Sequence, residues 1–104
     1  MASSLEAGKA ENVTVLSVGE MTTIADYFVI ASGSTQRQVK ALADRVTLNL
    51  ADARKPSHVE GYDAGVWVLM DFGDVVVHVF REQERAFYGL ERLWGDAPRL
   101  DWAR

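Results

Sequence analysis

The stretch Trp67–Phe80, WVLMDFGDVVVHVF, reads as two β-strands folded back on each other at a tight turn, and the rest of the chain arranges itself around it. The apolar run breaks at Phe72 and Gly73, and a two-residue hairpin turn there fixes which residues face each other. With that turn, Asp71 lies opposite Asp74, Leu69 opposite Val76 and Trp67 opposite His78. Side chains alternate along a strand, so Val66, Val68, Met70, Val75, Val77 and Val79 share one aliphatic face, which must be core.

The other face carries Trp67, Leu69, Asp71, Asp74, Val76, His78 and Phe80, and this mixture admits three readings. Aromatic and aliphatic anchors with polar groups at their rim have the make-up of a docking surface. A sheet face partly covered by a helix, with His78 hydrogen-bonded and the acids at a wet turn, is the plainer alternative. The third is acid/base or metal chemistry at Asp71 and Asp74, since opposed carboxylates repel unless a cation relieves them. Against it, His78 lies about three residues along the strand from the aspartates, some 10 Å at ~3.3 Å per residue, too far to share one reacting atom.

Working outward, DYFVIASG, from Asp26 to Gly33, is a continuous apolar run closed by small residues, which predicts a central strand covered on both faces. NVTVLSV before it, with Val13, Val15 and Val18, predicts a half-buried strand. STQRQVKALADRVTLNLADA after it places Val39, Leu42, Ala43, Val46, Leu50 and Ala53 on a helical stripe, with Ser34 or Thr35 as N-cap. Pro56, Gly61 and Gly65 leave room for a short strand around residues 58–62. EQERAFYGLERLWG predicts a single amphipathic helix ending near Gly95, its core side formed by Ala86, Phe87, Leu90, Leu93 and Trp94, with Tyr88 and Trp94 reaching past that stripe. The order is that of an α/β domain with a mixed sheet of about five strands and helices packed against it. Its expected limits are 11–99, with a short N-terminal tail over 1–10, at most one helical turn, and a C-terminal tail over 100–104.

Composition narrows the function classes. The 104 residues suit one domain, and 48% hydrophobic and 25% charged residues are near the globular averages. Cysteine is absent and histidine occurs twice, which removes disulfides, thiolate sites and the usual zinc ligand sets. No apolar run approaches the roughly 18 residues of a membrane span, and MASSLEAGKAEN lacks a basic, apolar leader, so the expected location is cytoplasmic with no membrane contact. Fifteen acidic against eleven basic residues, net −4, argue against direct nucleic-acid readout and for a basic protein partner. ASGSTQRQ, from Ala31 to Gln38, leads a strand into a helix whose first amides could hold an anion beside Arg37, but it lacks the glycines of a P-loop. A tight turn with a helix cap is the simpler reading.

Four blocks in this order, ADYFVIASGSTQRQVKALADRV, HVEGY, WVLMDFGDVVVHVF and FYGLERLWGDAP, resemble the ribosomal silencing factor family, also called Iojap-like, over residues 9–99. Trp67, Asp71, Gly73, Asp74, His78 and Phe80 match its pattern, as do Asp26, Gly33, Arg37, Gln38, Tyr88, Leu93 and Trp94. The resemblance implies an α/β fold distantly similar to nucleotidyltransferases, no catalytic activity and no cofactor. It also implies binding to protein fourteen of the large ribosomal subunit, a steric block to small-subunit joining that lowers translation under nutrient limitation, and homodimers. The chain departs from the pattern at its start: members carry a full helix ahead of the segment reading GKAENVTVL here, and Asn12 stands where aspartate is usual. The alternative function is a nucleotide- or phosphate-binding enzyme of nucleotidyltransferase type, using Gly33, Ser34, Asp71 and Asp74 around a divalent metal.

Overall fold

The computed structural model describes residues 2–48 and 55–100. Its elements are α1 (Ala2–Ala7), β1 (Glu11–Ser17), β2 (Tyr27–Gly33), α2 (Gln36–Leu48), β3 (His58–Glu60), β4 (Trp67–Asp71), β5 (Val75–Arg81), α3 (Glu82–Tyr88) and α4 (Leu90–Leu93). The strands form one mixed sheet in the order β1-β2-β5-β4-β3. The central β2–β5 pair is parallel, and the other three pairings are antiparallel. The expected mixed α/β architecture is therefore present.

From Phe28 onward every residue of β2 is buried, as a strand covered on both faces demands. Val29 and Ala31 face one core with Val68, Met70, Val77 and Val79, and α2 closes it with Val39, Leu42, Ala43 and Val46. Phe28 and Ile30 face a second core with Leu16, Val18, Val76, Phe80 and Ala97. The expected continuation of the α2 stripe to Leu50 and Ala53 lies outside the described residues. At the other end of α2, Thr35 Oγ1 accepts the Gln38 N–H at 3.1 Å, while Gln38 Oε1 accepts the Ser34 N–H at 2.8 Å, a reciprocal cap.

The hairpin register differs from the sequence-based one by two residues. Trp67 pairs with Phe80, Leu69 with His78 and Asp71 with Val76. The Phe72 N–H donates to the Val75 carbonyl at 2.8 Å, so Gly73 and Asp74, not Phe72 and Gly73, form the turn. Two preferences move it: Phe72 is buried in the aliphatic core beside its strand, and Gly73 adopts φ 93°, which glycine takes without strain. Asp71 and Asp74 are thus not opposed, and their expected mutual repulsion across the turn has no basis. A slip of two leaves the side-chain alternation intact, so the two faces of the hairpin sort as expected.

The segment assigned as an N-terminal tail packs on the core, and Leu100, the first residue of the assigned C-terminal tail, bonds to the sheet. Residues 2–7 are helical, and Leu5 is 0% exposed in the core that α2 covers. At the other end, the Leu100 N–H donates to the Val15 carbonyl at 2.8 Å and the Ser17 N–H to the Pro98 carbonyl at 2.8 Å, covering the free edge of β1. Leu5→Ala is expected to cost about 2–4 kcal/mol in denaturant unfolding, the usual cost of emptying a fully buried leucine site. A loss no greater than that of a surface substitution would show the N-terminal helix to be incidental.

Candidate docking face

The mixed face of the hairpin is not open along its length. Val76, His78 and Phe80 are buried, with Phe80 at 0% and His78 at 4% exposure. They are covered by Phe28 together with Leu90 and Trp94, from the segment that follows β5. These three, expected as direct partner contacts, have side chains that belong to the core of this chain. The remaining residues assigned to the face, Trp67, Leu69 and Asp71, are half-buried, and Asp74 is exposed at the turn. Asp71 accepts the Gly73 N–H at 2.8 Å, the plain turn role, and the Asp74 carbonyl accepts the N–H groups of Asp26 and Tyr27 at 2.8 and 3.1 Å.

The expected single C-terminal helix is instead two short ones. Gly89 breaks it in the left-handed conformation, φ 60°, ψ 38°, and its N–H closes α3 onto the Arg85 carbonyl. The break defeats the continuous stripe. Neither helix contains a buried residue; Phe87 is 81% and Leu93 75% exposed, and Tyr88 is also exposed. Leu90 and Trp94 alone of that expected stripe pack against the sheet, Trp94 edge-on to Phe28 at 5.2 Å. The signal for this was present in the sequence as Gly89, a helix-stopping residue in mid-pattern.

Arg85 fastens these helices to the sheet. Its Nε donates to Glu91 at 2.8 Å, and its terminal nitrogens donate to the Ser32 and Thr14 hydroxyls at 3.2 and 3.3 Å and to the Glu11 carbonyl at 3.3 Å. The adjacent guanidinium holds the Glu91 carboxyl below the usual carboxylate range. One side chain thus ties α3 to β1, β2 and α4.

With the helices so placed, an aromatic cluster runs from the core to the surface. Trp67 stacks on Phe80 at 4.8 Å between ring centres and lies against Tyr88 at 4.9 Å, and Tyr88 meets Phe87 edge to face at 5.2 Å. Beneath it, the Trp67 Nε1–H donates to His78 Nδ1 at 3.1 Å. Among the described residues, His78 Nε2 has no hydrogen-bond partner. Burial pushes the His78 pKa down from 6.5 to about 4, because a charged imidazolium loses its hydration there.

The strand-to-helix turn at Gly33 is filled by the chain itself. Gln38 lies over Gly33, where a Cβ would meet its side-chain atoms at 3.1–3.2 Å, and both the Ser34 N–H and hydroxyl are directed to Gln38 Oε1. Gln38 Nε2 reaches on to the Lys9 carbonyl at 3.2 Å. Gly33, Ser34 and Gln38 therefore serve the helix cap, Arg37 is exposed on the first turn of α2, and Asp71 and Asp74 lie at the far end of the sheet, so the residues of the expected nucleotide site are not brought together.

The fold and this surface define a mixed α/β domain that carries an exposed aromatic patch beside its C-terminal helices. The chain belongs to the ribosomal silencing factor family: its residues 1–104 match the family described as "Ribosomal silencing factor during starvation". A ribosomal silencing factor from Halalkalibacterium halodurans is 45% identical over 94 residues, covering 89% of this chain and 80% of that protein. A crystal structure from Chromobacterium violaceum superposes with a TM-score of 0.85 at 39% identity, covering 89% of this chain and 78% of that one. A more distant relative, the mouse protein named "Mitochondrial assembly of ribosomal large subunit protein 1", is 32% identical over 98 residues, covering 90% of this chain and 43% of that protein.

The buried histidine makes a prediction about acid stability. His78 has its ordinary affinity for protons in the unfolded chain and a depressed one in the fold, so the unfolded state takes up a proton first as pH falls. Its contribution is intact above about pH 6.5 and is lost between there and about pH 4, by up to roughly 3 kcal/mol, each pKa unit being about 1.4 kcal/mol. Urea unfolding across that window should show a correspondingly shallower pH slope in His78→Asn than in the wild type. Parallel slopes would contradict the assignment.

Proposed function

We propose that this protein acts in the cytoplasm as an anti-association factor: it binds the large ribosomal subunit through protein fourteen and sterically stops the small subunit from joining, lowering translation when nutrients are short. The observation that carries the reading is the exposure of Phe87, Tyr88 and Leu93 on the helices after β5, with Tyr88 packed against Trp67, in a chain of the ribosomal silencing factor family. Rigid aromatic side chains at a surface supply large contact area at small entropic cost, and they dominate the energetics of protein interfaces. The name of the mouse relative points to the large subunit as the place of action. The net charge of −4 favours encounter with a basic ribosomal protein.

The contact surface in this reading is Trp67 and Leu69 on β4, with Asp71 and Asp74 at the turn, extended by Phe87, Tyr88 and Leu93. Val76, His78 and Phe80 support it from below. No chemical step is required. Occupancy by a body of 11.5 kDa blocks the approach of the second subunit.

Co-sedimentation with purified subunits tests this. Trp67→Ala is expected to weaken large-subunit binding by about 1–4 kcal/mol, the range for a central interface aromatic. Phe87→Asp is expected to weaken it as well while changing folding stability by less than ~0.5 kcal/mol, since that ring is largely in solvent. Wild-type affinity in both variants would overturn the assignment of this surface.

A further inference from the structure

We propose that His78 is a positioning residue for the docking face: its Nδ1 fixes the orientation in which the Trp67 indole is presented, without His78 touching the partner. The inference rests on the docking reading above.

The cluster holds the plane of the Trp67 ring but not its sense. Phe80 stacks on the indole at 4.8 Å, and Tyr88 on α3 lies tilted against it at 4.9 Å. Dispersion of this kind is tolerant of a half-turn about the Cβ–Cγ bond, which exchanges the pyrrole and benzo edges of the ring. Among the described residues, the single hydrogen bond recorded for the indole is its 3.1 Å donation to His78 Nδ1, and only one of the two ring senses can make it. Trp67 and His78 are diagonal neighbours across the hairpin, Trp67 pairing with Phe80 and Leu69 with His78, so the contact depends on the observed register.

The surroundings of His78 show what the residue is for. Its ring is 4% exposed, set edge-on to Phe28 at 5.0 Å and nearly parallel to Phe80 at 6.3 Å. Because Nδ1 accepts from tryptophan, the neutral ring must carry its proton on Nε2, and that buried donor has no hydrogen-bond partner among the described residues. An unsatisfied buried donor is a destabilising feature that a leucine of similar bulk would not have. What histidine supplies in exchange is one acceptor, aimed at the half-exposed tryptophan. The arrangement sacrifices stability for a defined surface, and this separates a positioning role from a packing role. A packing residue replaced by leucine would leave binding alone.

Three variants test this with purified large subunits. In His78→Asn the side-chain oxygen falls near the place of Nδ1, in His78→Gln it falls near that of Nε2, and His78→Leu has no acceptor. The expected result is that His78→Leu is at least as stable as wild type in urea unfolding but binds about tenfold or more weakly, a loss of the size a misplaced anchor produces. His78→Asn should restore binding to within about threefold, and His78→Gln should not, as the loss follows one hydrogen bond. The Trp67 indole N–H resonance, assigned by its disappearance in Trp67→Phe, should move upfield in His78→Leu and His78→Gln and stay near its wild-type position in His78→Asn. Wild-type binding by folded His78→Leu, or equal binding by His78→Asn and His78→Gln, would overturn the proposal. Trp67→Ala run alongside separates the two claims: if it also binds like wild type, the docking surface itself is misassigned, whereas loss in Trp67→Ala with none in the His78 series defeats only the positioning role.

Discussion

The parallel pairing of Tyr27–Gly33 with Val75–Arg81 at the centre of the sheet is the constraint on which the rest depends. A parallel pair carries apolar side chains on both faces and has to be covered on both. One face receives α2, a thirteen-residue helix with a continuous stripe, supplemented by Leu5 from α1. The other receives Val18 and Ala25 from the connection between β1 and β2 and the segment after β5, which runs directly from the strand into two short helices. That cover closes over Val76, His78 and Phe80 but only partly over Trp67, leaving the aromatic cluster at the boundary between core and solvent. The exposed aromatic cluster follows from incomplete cover of a sheet that demands cover.

What the sequence made legible and what it hid divide along physical lines. The two faces of the hairpin were readable because alternation depends only on parity, and the two-residue error in register preserved it. The central strand and α2 were readable because their apolar patterns are long and uninterrupted. The turn was misplaced because Phe72 resembles a turn neighbour in sequence, whereas its ring is drawn into the core beside Met70 and Val77. The C-terminal helix was misread because periodicity took Phe87 and Leu93 for core residues, although Gly89 between them carries the break that turns both outward. Leu5 was missed because one apolar residue in a short polar segment shows no period, and its burial is decided by a distant helix.

Aromatic, histidine and acidic residues sharing one side of a strand pair suggested a docking surface, and the register indicated that Asp71, Asp74 and His78 do not converge on one atom. The fold buries Val76, His78 and Phe80 and leaves Tyr88, with Phe87 next to it, exposed beside half-buried Trp67; the proposed docking surface is drawn on that exposed side, with the buried three as its foundation. Arg85 is part of the same foundation, since its bonds to Ser32, Thr14, Glu11 and Glu91 hold the helices that carry the exposed rings. In the proposed reading, membership of the ribosomal silencing factor family gives this geometry its object.

The most direct measurement of the central claim is light scattering of purified large and small subunits mixed in the presence of increasing protein. The account predicts that joining is suppressed in proportion to occupancy of the large subunit, that Trp67→Ala shifts the curve to higher concentration, and that the protein sediments with the large subunit alone. Undiminished joining when the large subunit is saturated, or sedimentation with the small subunit instead, would contradict it.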